Sequence, residues 1–167
     1  MRYKHEDYPN STFMKRKSFL LLLPAFLVGT LTFTACENDN DPDLRDTLNI
    51  VSTLSGRDVL PPNASSATGR FEGQYNKTTR VLTYTITHQG VTPTYINLHR
   101  AVQGTNGPVE IPLSSSATSP VTGTLTLTPA QENDLIFSNY YVLIGSKTYP
   151  DGELRGTLQI DRATPTQ

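Results

Sequence analysis

Tryptophan is absent from the 167 residues, and cysteine occurs once, at Cys36. A lone cysteine closes no disulfide within the chain, so any folded core must come from packing alone. Charge is sparse too: Asp, Glu, Lys and Arg make up 17% of the residues, and the one compact basic cluster is Lys15-Arg16-Lys17. With no later Lys/Arg run, a nucleic-acid role has no electrostatic footing. An uninterrupted apolar run of the ~20 residues needed by a stable membrane-spanning helix is also missing. The stretch from Phe19 to Phe33 is shorter and carries Pro24, Thr30 and Thr32. No Ser–His–Asp arrangement, phosphate-binding loop or zinc-protease helix is visible. These absences leave no catalytic residue and no cofactor to name, and the expectation is a protein that is not an enzyme.

What is present begins with an address. Lys15 to Ala35 combines a basic start, an apolar middle and small residues before a cut, the three parts of a secretory signal. Residues 1–13 are polar and precede a second methionine, so Met14 is the expected true start. Phe33-Thr34-Ala35-Cys36 resembles a bacterial lipobox, with Phe33 where Leu is usual. The resemblance implies cleavage before Cys36, a diacylglycerol on its thiol and an acylated amino terminus. One acyl chain holds a protein marginally, whereas two or three anchor it stably. Glu37 to Asp43 is acidic and lacks an apolar residue, as a solvated spacer would. That run resembles the surface-export signal of Bacteroidetes lipoproteins. The expected location is therefore the bacterial cell envelope, as an outer-membrane lipoprotein that is either periplasmic or surface-exposed. The expected organisation is a leader over 1–35, a lipidated cysteine and acidic tether over 36–46, a β-domain over 47–161 and a disordered tail over 162–167. Taking the leader's two acidic residues from 15 and its five basic ones from 14 leaves 13 against 9, a net charge of about −4.

The domain reads as strands. Leu82, Tyr84 and Ile86 alternate with Thr83, Thr85 and Thr87, a period of two that marks a half-buried strand over 80–88. The same argument predicts strands over 49–54, 69–75, 94–99, 109–113, 121–128 and 154–160. Tyr140 to Ile144 is apolar throughout, which suits a strand buried on both faces. Gly156 falls on the inward side of the last strand, where a neighbouring chain approaches closely. Thr128-Pro129-Ala130-Gln131 has the capping residue, the first-turn proline and the Gln of a helix start, so one short helical turn is expected near 129–137. About eight short strands without βα alternation predict an all-β, antiparallel sandwich or barrel.

Three motifs then fall in order: Leu54-Ser55-Gly56 with Val59-Leu60-Pro61-Pro62 and Ala67-Thr68-Gly69; Leu98-His99 with Gly104-Thr105-Asn106-Gly107-Pro108-Val109; and Pro150-Asp151-Gly152-Glu153-Leu154-Arg155-Gly156. Over about residues 48–160 the chain resembles a CHRD domain, the module repeated in chordin and widespread in secreted bacterial proteins. The resemblance implies an immunoglobulin-like β-domain and no particular chemistry. CHRD domains often carry His-x-His in the middle motif and a further His before the last hairpin, a set that could hold a metal. Here Asn97 stands at the first of those positions and Leu143-Ile144-Gly145-Ser146 has no His, which leaves His99, with His88 as an alternative second ligand. Glu153 and Arg155, two apart on one strand face, are expected to form a structural ion pair. Exposed turns carry contacts more often than scaffolds do, so Thr105, Asn106, Gly107, Tyr149 and Asp151 are the expected contact residues for a protein or glycan ligand. The expected function is a lipid-anchored binding or structural module, attached to the membrane through Cys36. The alternative is a small envelope metal-binding or redox protein using His88 and His99.

Overall fold

The computed structural model describes residues 46–115 and 118–162. The expected leader, the lipidated Cys36, the tether as far as residue 45 and residues 163–167 of the expected tail lie outside the described residues. The described chain contains β1 (Thr47–Ser55), a 3-10 turn (Gly56–Asp58), β2 (Thr68–Asn76), β3 (Val81–Gln89), β4 (Pro93–Arg100), β5 (Val109–Ser114), β6 (Val121–Thr126), α1 (Pro129–Ile136), β7 (Tyr140–Ser146), β8 (Leu154–Thr157) and β9 (Gln159–Ile160). The sheet runs β5-β4-β7-β8-β1-β2-β3-β6, with β9 also on β1. Its pairings are antiparallel, and it curls into a nearly closed barrel.

All eight expected strands are present, because their alternation matches the pleat. Ile50 and Leu54 of β1, Phe71 and Tyr75 of β2, Leu82, Tyr84 and Ile86 of β3, and Ile96 and Leu98 of β4 are buried in one continuous core. The intervening residues of β3, Thr83 and Thr87, are exposed. Burying each of these large apolar side chains contributes roughly 1.5–3 kcal/mol before entropy is counted. The unbroken apolar run of β7 is explained by its position. Tyr140, Val142 and Ile144 enter the core, while Tyr141 and Gly145 on the other face are buried as well.

One expected strand is divided. Leu154 to Ile160 breaks at Leu158, whose N–H donates to the Tyr140 carbonyl at 2.8 Å, while Gln159 and Ile160 pair with β1 as β9. Leu154 and Leu158 are fully buried, and Ile160 is partly so. At Gly156 the close approach is real: a Cβ there would run into Ser52 and the Thr53 carbonyl of β1.

The helix starts as its sequence predicts. The Gln131 N–H donates to Thr128 Oγ1 at 3.3 Å, and the Thr128 N–H donates to Gln131 Oε1 at 3.0 Å. This reciprocal pair satisfies two donors that a helix start leaves open. The helix ends at Ile136, and Ser138 turns the chain with a positive φ of 58°. Glu132 and Asp134 fasten the helix to Arg80 and Arg100 at 3.2 and 2.7 Å.

Candidate functional site

On β4 the even residues Ile96 and Leu98 point into the barrel, so His99 points out. Tyr141 of β7 is its direct cross-strand partner, and Arg155 lies on the next strand, β8. The three side chains stack. The His99 and Tyr141 rings are 5.0 Å apart at 19°, and the Arg155 guanidinium carbon is 3.8 Å from the Tyr141 ring centre. Although they are on the outer wall, they are only 8%, 3% and 3% exposed. The segments 56–67 and 101–108 reach across the sheet to them.

The contacts of those two segments are specific. Arg155 donates to the Thr105 carbonyl at 2.6 Å and to Asn106 Oδ1 at 2.9 Å. Asn106 Nδ2 donates to the Leu60 carbonyl at 2.7 Å, which joins the two segments. The Gly107 N–H donates to the Tyr141 hydroxyl at 3.1 Å. A carbonyl only accepts, so the 3.0 Å contact between His99 Nδ1 and the Gly107 carbonyl places the ring proton on Nδ1. His99 Nε2 is then buried without a hydrogen-bond partner among the described residues. Asn63 Nδ2 donates to the Gly152 and Glu153 carbonyls, each at 3.1 Å, and Ser65 Oγ donates to Glu153 Oε1 at 2.7 Å. The three sequence motifs, far apart along the chain, thus close on one another in a single clamp. Burial pulls the Arg155 guanidinium below its ordinary value, against the raising influence of Tyr141 and Asp58.

The ion pair expected between Glu153 and Arg155 is not formed among the described residues. Glu153 is taken by Ser65 and Arg155 by the 105–106 carbonyl and amide, because two covering segments compete for the same buried wall. The expected contact turns leave the barrel at opposite rims: Arg100 pairs with Tyr140 at one, and Pro93 with Ser146 at the other. Thr105, Asn106 and Asp151 are exposed, Tyr149 is half-buried, and segment 56–67 touches both turns. Gly152 turns its hairpin with a positive φ, 134°. In the other turn that role falls on Gly104, at 80°; Gly107 serves close approach instead, since a Cβ there would strike the Arg100 carbonyl.

The alternative metal pair is not assembled. His88 shares the inward parity of Tyr84 and Ile86 on β3, while His99 points outward from β4, so the two lie on opposite faces of the sheet. Among the described residues no group of three or more His, Cys, Asp or Glu is placed to hold a metal. Burial lowers the His88 pKa, with the Val91 backbone partly opposing.

Beside the clamp runs a groove of about 530 Å³, lined by Arg57, Asp58, Arg70, Gln103, Arg155 and Gln159 among others. Sequence reasoning missed this grouping, along with Asn63, Ser65 and Tyr141. Arg57 and Asn63 sit in a stretch without periodicity, and Tyr141 was hidden inside an apolar run. A signal was available for Arg70 alone, whose neighbour Phe71 is inward, so that Arg70 faces out.

The family model of the CHRD domain matches residues 50–158. No curated protein and no solved structure matches the chain.

Proposed function

The chain belongs to the CHRD domain family, and from that premise we propose that it is a lipid-anchored protein of the bacterial cell envelope whose β-domain works by contact and not by turnover. Cys36 carries the anchor, and the acidic tether holds the domain off the outer membrane. The observation that carries the contact role is the fate of the clamp residues. Asn63, Ser65, Asn106, Glu153 and Arg155 are committed to one another and to backbone groups, so they fix the shape of the outer wall. A wall stiffened in this way presents its exposed turns and its groove in a constant arrangement, which lowers the ordering cost of binding. The lipobox and the preceding basic and apolar segments support the location.

Four measurements test the proposal. Mass spectrometry of the mature amino terminus is expected to find an acylated Cys36, and Cys36→Ser is expected to move the protein from the membrane fraction to the soluble one. Cross-linking and capture from intact cells, with the anchor in place, is expected to return a specific partner. An unmodified thiol would overturn the anchor, and a multiple-turnover activity of the purified protein would overturn the contact role.

A further inference from the structure

The groove beside the clamp gathers positive charge on an otherwise acidic chain. Of the eight Lys and Arg residues in the described segments, Arg57, Arg70 and Arg155 line this one depression, with Asp58 as its carboxylate. The Asp58 carboxylate accepts from Ser55 Oγ at 2.7 Å. Arg57 is exposed and has no ion pair among the described residues. Arg70 meets Glu72 at 2.9 Å, but both side chains are more than half exposed, so water screens that pair strongly. Arg155 is the unusual member. It is a buried cation whose direct partners, a carbonyl, an amide oxygen and a tyrosine ring, are all neutral. Buried charges are ordinarily paired, and the two hydrogen bonds to the 101–108 segment use two of the five donors of a guanidinium.

The groove does not stop there. Val51 and Arg70 also line a second depression of about 440 Å³, whose further walls include Asn49, Gln74, Thr83 and the carboxylates Glu72 and Asp161. The two adjoining depressions therefore offer a cationic end and an end of amides, hydroxyls and two carboxylates, groups that bond sugar hydroxyls. They lie across β1 and β2, each already hydrogen-bonded to a neighbour on both sides, so an extended peptide finds no free sheet edge to join. Large apolar anchors for a protein hot spot are missing from the cationic end, where Leu60 and Val51 are the main apolar residues. The Tyr141 ring, which could otherwise stack on a nucleobase, is covered by Arg155. A chain of hydroxyls bearing a fixed negative charge matches both ends.

From this arrangement we infer that the outer wall of β1 and β2 binds an acidic oligosaccharide, with its carboxylate at the exposed Arg57 and Arg70 and its hydroxyls on the Asn49–Gln74–Thr83 side, while the buried Arg155 adds its charge from beneath. The inference rests on the contact role proposed above. It is tested with the full-length protein in detergent micelles, titrated calorimetrically with a pentamer of four neutral hexoses ending in one galacturonate and, separately, with its methyl ester. The acid is expected to bind and the neutral ester not. Arg57→Ala and Arg70→Ala, both at exposed positions, are each expected to weaken binding about tenfold, as loss of a charge-assisted contact does. Lys147→Ala, an exposed change outside the groove, is expected to leave it unaltered. Equal binding of acid and ester, or undiminished affinity in both arginine variants, overturns the inference. If capture from intact cells returns a partner while the pentamer does not bind, the glycan assignment fails and the contact role stands.

Discussion

Arg155 illustrates how a single side chain is fixed by shape as much as by charge. Its planar fork spans the Thr105 carbonyl and Asn106 Oδ1 while its face lies on Tyr141. Arg155→Ala is expected to lower stability by about 3 kcal/mol, the scale of charge-assisted bonds lost together with buried packing. Arg155→Lys is expected to recover little of it, because an ammonium has no fork; urea denaturation of the three proteins checks both. His88 gives a pH signature. Its folded-state pKa is lowered, so the unfolded chain takes up the proton first as pH falls. Stability is expected to be flat above the ordinary value of 6.5, to decline as pH drops below it, and to decline less in His88→Gln. Tyr75 and Tyr140 act at the other extreme. Burial first, with Glu132 beside Tyr75 and with Glu110 and Asp134 near Tyr140, pushes both up to about 12. The neutral phenols belong to the fold, so stability is expected to fall as pH climbs from 10 towards 12, and an ultraviolet phenolate titration is expected to show two tyrosines ionising last.

At the scale of elements, β8 comes very close to β1 at Gly156. A methyl group there would meet Ser52, the Thr53 carbonyl and Leu54, two of them side chains with little room to move. Gly156→Ala is expected to cost about 1–3 kcal/mol by overpacking, read as a lower thermal midpoint. This glycine was visible in the sequence as a gap in the inward row of the last strand, and the strands themselves were visible as alternation. Each depends on a local period that tertiary contacts reinforce. The break at Leu158 was not visible, because Leu154, Leu158 and Ile160 keep the parity of one straight strand across it. Nor was the clamp. Asn63 and Ser65 lie in a loop whose composition predicts only a turn, and their partners are 88 to 90 residues away. Glu153 lies just before β8 and Arg155 within it, and nearness along the chain says nothing about which covering loop will claim each. The two edges of the sheet also differ: β5 carries Pro112 and bulges at Glu110 and Leu113 against β4, both of which blunt an edge, whereas β6 pairs with β3 without interruption.

Across the whole molecule, the clamp ties the first connection, the middle loop and the last hairpin into one body without a disulfide. The domain released from residues 1–45 is therefore expected to unfold in one cooperative step, with far-ultraviolet circular dichroism and tyrosine fluorescence tracing the same curve. Two separated transitions would mean that the covering segments detach before the barrel opens. Thr47 enters at the rim that also holds α1 and the 77–80 turn, because Thr47 pairs with Asn76 and Val81 with Thr126. The 90–92 and 147–152 turns lie at the opposite rim, since Thr68 pairs with Gln89 and Pro93 with Ser146. The arginine-lined groove sits on the flank between the two, so a molecule can come alongside the barrel and meet it without passing either end.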